Sequence, residues 1–265
     1  MAQIKANEAL VKALQTWNID HLYGIPGDSV DAVVDSLRTV RDQFKFYHVR
    51  HEEVASLAAA SYTKMTGKIG VALSIGGPGI VHLLNGMYDA KMDNVPQLII
   101  AGQTNSTLLG TKFFQETNIS KMVDDVAVYH HQIQKGDNVF EITNEAIRTA
   151  YEKKGVSVII CPNDLLTQKI KDTTNRAVDT TKPKPASPKF KSIKKAAKLI
   201  DKAKKPVMLI GLGTQHAKDE LREFIEAAKI PVIHTLPAKT ILPDDHPYSI
   251  GNLGKIGTKD RKSVV

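Results

Sequence analysis

Two stretches of this chain carry side chains suited to proton chemistry beside a bound ligand. The first is VRHEEVASLAAASYTKMTG, residues 49–67. A strand is predicted to end there, and an acidic pair, Glu52-Glu53, opens a helix. First-turn carboxylates stabilise a helix through its dipole, and on local grounds that structural role accounts for the pair. The helix behind Glu52 is rich in alanine and closely packable. A carboxyl held against such a wall loses hydration, which raises its pKa and equips it to donate or accept a proton. Both roles stay open for Glu52.

The second stretch is SIGGPGIVHLLNGMYDAKMDNVPQLIIAG, residues 74–102. Gly76, Gly77 and Gly79 stand between a predicted strand and a predicted helix. Glycine admits positive φ and close approach of backbone to a ligand. A mononucleotide phosphate loop does not fit, because no Lys-Ser/Thr follows and Pro78 removes one N–H donor from the turn. A tight strand-to-helix turn beside a flat ligand fits better.

These stretches must be held by a scaffold, and its pattern is legible. Leu10, Val11, Leu14 and Trp17 follow helical spacing, as do Val30, Val33, Val34 and Leu37. Short apolar runs at 21–25, 44–49, 70–75, 97–102, 128–133 and 156–161 read as strands. Helices are expected between them at 52–65, 80–92 and 142–154. Such alternation predicts an α/β fold with a doubly wound, mainly parallel sheet over residues 1–172. Ligands in such sheets bind at the carboxyl ends of strands. Pro183, Pro185 and Pro188 then mark residues 173–190 as an interdomain linker. A second unit, 191–265, offers a helix (191–204), a strand (206–212), a helix (217–229) and a strand (231–236). One βαβ unit with a lead-in helix makes an incomplete Rossmann-like domain, and the ending GKIGTKDRKSVV supplies no closing element.

Composition narrows the function classes. The chain has 265 residues, 42% hydrophobic and 24% charged, and reads as globular. It lacks a long apolar span and a signal peptide, and its single cysteine, Cys161, reads as a buried structural thiol; a cytoplasmic protein with no membrane span is expected. The net charge of +8 is concentrated: residues 166–205 hold 13 Lys/Arg against 3 Asp/Glu. A single aromatic, Phe190, stands among these lysines, so a solvated linker and helix face is expected rather than a nucleic-acid groove.

YGIPG (23–27), RHEEVA (50–55), GGPGIVHLLNGMYDAKMDNVPQLIIAGQ (76–103), FFQET (113–117) and PNDL (162–165) agree in order, spacing and placement with a known pattern. On these motifs the chain resembles the N-terminal part of the thiamine-diphosphate- and FAD-dependent pyruvate oxidase family, which includes acetolactate synthase. The resemblance runs to about residue 255 and implies a pyrimidine-binding domain at 1–172 and a truncated central FAD-binding domain at 191–265. It implies that Glu52 hydrogen-bonds N1′ of the cofactor's aminopyrimidine, favouring the imino tautomer that takes the proton from thiazolium C2. Pro26, Gly27, Pro78 and His82 match positions around the pyrimidine. Phe114 and Gln115 match an aromatic–amide pair that projects toward substrate, with a plain core role for Phe114 as the alternative. Glu53 is expected to face solvent or cap its helix.

In the second unit LIGLGT (209–214) is a weak signal, since His216 stands where a dinucleotide fingerprint would have its third glycine. The resemblance implies that this turn and HTLPAK (234–239) lie along FAD, through Gly211, Gly213, Thr235 and Lys239. A βα turn without ligand is the alternative. Family members bind the diphosphate and Mg²⁺ through a Gly-Asp-Gly motif followed at a distance by asparagine, in a further domain. Gly136-Asp137-Asn138 with Asn163 imitates it but matches the end of the pyrimidine domain, so no metal ligand is assigned in this chain. The implied parent reaction is oxidative decarboxylation of pyruvate, with phosphate and O₂, to acetyl phosphate, CO₂ and H₂O₂, by a homo-oligomer. An acetolactate synthase-like carboligase is the competing enzyme, and a non-catalytic interaction fragment or a polyanion binder the competing classes.

Overall fold

The structure, a computed structural model, describes residues 2–183 and 186–254. The chain divides into two compact units, Met1–Lys184 and Pro185–Val265. The first opens with β1 (Gln3–Lys5), α1 (Ala6–Thr16), β2 (His21–Gly24), α2 (Asp31–Thr39) and β3 (Lys45–His48). It continues with α3 (Glu52–Thr66), β4 (Gly70–Ser74), α4 (Pro78–Met92) and β5 (Gln97–Gln103). It ends with α5 (Ile119–Val123), β6 (Ala127–Gln132), α6 (Val139–Lys153), β7 (Val156–Pro162), α7 (Asn163–Leu166) and β8 (Lys169–Lys171).

Six of these strands form one parallel sheet in the order β3-β2-β4-β5-β7-β6. The central strands β4, β5 and β7 are buried along their whole length, as strands covered on both faces must be. Their side chains alternate between two cores. Leu98, Ile100 and Ile159 join Leu10, Leu14, Val33, Phe140 and Ile147 of α1, α2 and α6 on one face. Ile99, Ala101, Val158 and Ile160 join Ala55, Ala59, Ile80, Leu83 and Met87 of α3 and α4 on the other. Each large side chain so enclosed contributes roughly 1.5–3 kcal/mol relative to exposure.

The strand order reverses between β2 and β4. From β2 the chain crosses outward to β3, whereas from β4 it crosses the other way to β5. The carboxyl ends of these two neighbours therefore flank the topological switch point, where the loops diverge and leave a crevice. Pro26-Gly27 follows β2, the glycine turn follows β4, and Glu52 begins the helix after β3.

Two features lie outside the sequence-based expectation. β1 and β8 pair antiparallel, Ile4 opposite Ile170, in a separate two-stranded ribbon. A three-residue Gln-Ile-Lys or Lys-Ile-Lys segment is too short to show a period, so its signal is absent from the sequence. Residues after 172 are also tied to this unit. Thr173 bonds Asn138, Arg176 pairs with Glu141, and Lys182 donates to the Gly67 carbonyl at 2.6 Å.

The second unit contains α8 (Phe190–Lys202), β9 (Met208–Ile210), α9 (Lys218–Ala228), β10 (Val232–His234) and β11 (Ser249–Asn252). Its sheet is parallel, in the order β11-β10-β9. The single βαβ unit expected there is thus corrected to three strands, and the expected strands 206–212 and 231–236 shorten to three residues each. β11 escaped notice because Ser-Ile-Gly-Asn has one apolar residue and a glycine. A small core gathers Ile210, Ile225, Val232, Ala238, Ile241 and Leu242. α8 buries none of its residues. Residues 255–265 of the terminal segment GKIGTKDRKSVV, like Pro185, lie outside the described residues.

Candidate active site

α3 begins under a histidine. His51, in extended conformation, accepts the backbone N–H of Glu53 on Nδ1 at 3.3 Å. This cap satisfies one donor of the first turn and fixes where the helix starts. Glu52 is then the first helical residue, its side chain only 12% exposed. Its Oε2 lies 2.9 Å from Nδ1 of His82 on α4. The bond needs one proton between the two groups, which Nδ1–H of His82 supplies when Glu52 is a carboxylate. The His51 and His82 rings stack beside it, centroids 4.4 Å apart and 30° between planes.

Glu53 faces solvent with 38% of its side chain exposed, but it does not cap the helix. Its carboxylate receives the side-chain amide of Asn85, one turn beyond His82, and the cap is His51. The Asn85 contact follows from how closely α3 and α4 cross. A Cβ on Gly86 would come 2.5 Å from the backbone nitrogen of Leu57, so only glycine permits the approach that lets both acidic residues reach α4. Below the crossing, the buried amide of Gln97 donates to the Ser56 carbonyl at 2.7 Å and ties β5 to α3.

The glycine turn enters from the other side. Gly77 has φ +60° and ψ −119°, a conformation open essentially to glycine, and Pro78 then starts α4. The Gly76 N–H donates to Oγ of Ser29 at 3.0 Å, linking the turn to the loop after Pro26-Gly27. Gly27 is packed closely on Ile75, 2.6 Å from its Cγ2 to where a Cβ would stand. The expected pocket residues Pro26, Gly27, Glu52, Pro78 and His82 thus collect at the switch point of one sheet.

The FFQET segment reaches the same turn through its backbone. Gln115, itself at φ +60°, lies over Gly77. Glu116 holds the loop by accepting the N–H groups of Gly110 at 2.5 Å and Phe113 at 3.1 Å. The Gly110 N–H, aided by that of Phe113, keeps its carboxyl below the ordinary carboxylate range. Phe114 is 77% exposed, which corrects the core alternative for that residue. The sequence also hid the anchors of this loop. Ser106 bonds Asp164 through both N–H and hydroxyl, at 2.8 and 2.6 Å. Only the FFQET and PNDL motifs hinted that the two segments meet.

Gly136-Asp137-Asn138 is a turn and cap. Asn138 accepts the Glu141 N–H at the start of α6, and Asp137 pairs with His131 at 2.7 Å. Cys161 is fully buried and burial pushes its thiol far up, so it is unreactive. A cavity of about 500 Å³ lies away from Glu52, between Phe140, Glu145, Arg148 and Arg176. Both its arginines are already paired, Arg176 with Glu141 and Arg148 with Glu145, so it does not compete as a catalytic centre.

In the second unit, Gly211 and Thr235 are neighbours. The Thr235 N–H donates to the Ile210 carbonyl at 3.0 Å, and its Oγ1 lies 3.9 Å from a Cβ placed on Gly211. Gly213 faces open space, and Lys239 sits 3.4 Å from Asp244. At the carboxyl ends of β10 and β11, Nδ1 of buried His234 and Oδ1 of Asn252 lack a hydrogen-bond partner, and Nε2 of His234 has only Asp244, at 3.6 Å. Buried polar atoms left in this state call for a partner from outside the unit.

The N-terminal TPP binding domain of thiamine pyrophosphate enzymes matches residues 4–122, and the central domain of the same enzymes matches residues 193–265. The chain belongs to the thiamine pyrophosphate enzyme family. This thiamine pyrophosphate family chain is 48% identical over 259 residues to YdaP of Bacillus subtilis strain 168, whose name calls it thiamine pyrophosphate-containing and assigns no reaction. That match covers 98% of this chain and 45% of YdaP. It is 38% identical over 264 residues to a pyruvate oxidase of Lactiplantibacillus plantarum, covering 99% of this chain and 44% of the other. It is 34% identical over 260 residues to an acetolactate synthase of Mycobacterium leprae, covering 97% and 41%. The chain spans a little under half the length of these relatives. No helix among the described residues is long and apolar enough to cross a membrane.

Proposed function

We propose that the complete protein is a pyruvate oxidase, converting pyruvate, phosphate and O₂ to acetyl phosphate, CO₂ and H₂O₂. The observation that carries this reading is the largely buried Glu52 carboxylate held by His82 at the switch point of the sheet. Thiamine diphosphate, when bound, supplies the electron sink for decarboxylation. Glu52 accepts a hydrogen bond at the pyrimidine ring and holds its proton, while Pro26, Gly27 and Pro78 frame that ring. The residues fit a flat ring: the glycine turn Gly76-Gly77 borders the crevice, and Glu52 offers there a largely buried carboxylate able to exchange a proton. His82 orients Glu52, and Gln115 faces the substrate side from the exposed loop that carries Phe114.

Residues 1–172 form the pyrimidine domain in this reading, 173–190 the linker and 191–265 part of the central domain. FAD lies along Gly211, Gly213, Thr235 and Lys239; the unpartnered polar atoms of His234 and Asn252 favour a polar ligand at that strand end. Ligands for the diphosphate and Mg²⁺ come from a part of the protein beyond this chain. The functional protein is a cytoplasmic homo-oligomer. An acetolactate synthase-like carboligase is the second reading, supported by the 34% identity to such an enzyme. Electron transfer to flavin against attack on a second keto acid separates the two.

The test uses the full-length protein in single-turnover decarboxylation of pyruvate. Glu52→Gln keeps the side chain's shape but cannot hold the exchangeable proton, and is expected to slow the step by at least about 100-fold. Glu53→Gln keeps an acceptor for the Asn85 amide and is expected to cost less than about tenfold. Equal, mild effects of the two substitutions would overturn the assignment of Glu52.

A further inference from the structure

The cap of α3 and the second turn of α4 place three potential metal ligands side by side. His51, Glu52 and His82 each offer one ligand atom, and these atoms all lie within 4.8 Å of one another. Ligands bonded at about 2.0–2.2 Å to one tetrahedral ion stand roughly 3.3–3.6 Å apart. Glu52 Oε2 and His82 Nδ1, at 2.9 Å, stand a few tenths of an ångström closer than that, so a slight parting of this pair and a rotation of His51 bring the three atoms to ligand spacing. Both imidazoles are partly exposed, with 49% and 42% of their side chains in solvent, which leaves room for these adjustments.

We propose that His51, Glu52 and His82 form a binding site for a Zn²⁺-class transition-metal ion. Two imidazoles and one carboxylate make a three-ligand set that leaves a fourth position to water. Nitrogen-rich ligation selects Zn²⁺, Ni²⁺ or Cu²⁺ over Mg²⁺ and Ca²⁺, which prefer oxygen. The ion takes the place of the proton shared by His82 and Glu52, which passes to solvent. On ligation through Nε2, Nδ1 of His51 carries the proton and exchanges the Glu53 N–H it accepts for the Glu53 carboxylate, whose Oε2 lies 3.8 Å away. Carboxylates placed behind a ligating histidine orient the ring and raise its basicity. Because Glu52 is also the carboxylate assigned above to the pyrimidine ring, a filled metal site and a filled ring site exclude each other; that consequence, unlike the site itself, rests on the proposed function.

The test is titration of the 265-residue chain with Zn²⁺ against a fluorescent zinc indicator, without thiamine diphosphate, so that its outcome is independent of the cofactor assignment. His51→Asn removes the imidazole but keeps a side chain that caps α3. His82→Gln keeps an exposed helix position filled by an amide, a poor zinc ligand. One equivalent of Zn²⁺ is expected, with affinity reduced at least tenfold in each variant and in Glu52→Gln. The double variant His130→Gln/His131→Gln, altered at histidines paired with Asp124 and Asp137, is expected to bind as the parent does. A tenfold preference for Zn²⁺ over Mg²⁺ is expected in the same assay. Absence of stoichiometric binding, or His51→Asn and His82→Gln chains that bind like the parent, would overturn the proposal.

Discussion

Gly77 and Gln115 meet backbone to backbone: a Cβ built on Gly77 would stand 2.9 Å from the Gln115 carbonyl oxygen, and both residues have φ of +60°. Two loops separated by a strand are thereby locked together over the crevice that holds Glu52. The contact joins a glycine turn from one strand end to the loop that presents Phe114. Each loop alone is irregular backbone; together they form a wall of the site.

This contact makes Gly77→Ala a sensitive probe. Alanine would meet both a disfavoured backbone conformation and the Gln115 carbonyl, a loss of at least about 2 kcal/mol. Gly67→Ala offers the control, because Gly67 ends α3 at φ +67° with nothing within 4 Å of a Cβ. Strain of the left-handed conformation alone costs about 1 kcal/mol there. Thermal unfolding should therefore separate the two, with a Tm drop of more than about 4 °C for Gly77→Ala and roughly 2–4 °C for Gly67→Ala. Equal drops would mean that the turn relaxes away from Gln115.

The packing of α3 on α4 carries an alkaline-sensitive clamp. Lys64 lies 2.7 Å from Asp89 and 2.6 Å from Asp93. Burial favours the neutral amine, but the hydrogen bonds and charges of Asp89 and Asp93 outweigh it and raise the pKa above its ordinary 10.5. A raised folded-state pKa stabilises the fold below the unfolded value, and that stability is lost as pH rises through the folded one. Urea midpoints should thus fall between about pH 10 and 12 more steeply for the parent than for Lys64→Met. Parallel pH profiles would show that the clamp contributes nothing to stability.

Protection from hydrogen exchange should differ between the two units. Strands β5 and β7 are buried at every position, and opening them disrupts both cores of the first unit. In the second unit the core is small, Leu209 of β9 is half exposed and α8 buries nothing. Local opening should need far less free energy there. Amides of 97–103 and 156–162 are expected to exchange at least about 100-fold more slowly than those of 208–210 and 232–234. Similar rates in both sets would contradict the inference drawn from burial.

The first unit's elements were legible in sequence because burial on both faces leaves long, unambiguous apolar runs such as QLIIAG and VSVIIC. Glu52 was legible as a candidate at the start of an alanine-rich helix, its role left open by the local pattern and assigned only through the RHEEVA resemblance. Its partner was not. His82 lies 30 residues away, and only the crossing permitted by Gly86 brings its ring to the carboxylate. Local patterning likewise said nothing of Asn85 as the partner of Glu53, or of Gln115 over Gly77. Period and composition act between neighbours along the chain and decide which segments become helix or strand. Which side chains then share a hydrogen bond depends on strand order and helix approach, and those are settled only when the two cores close.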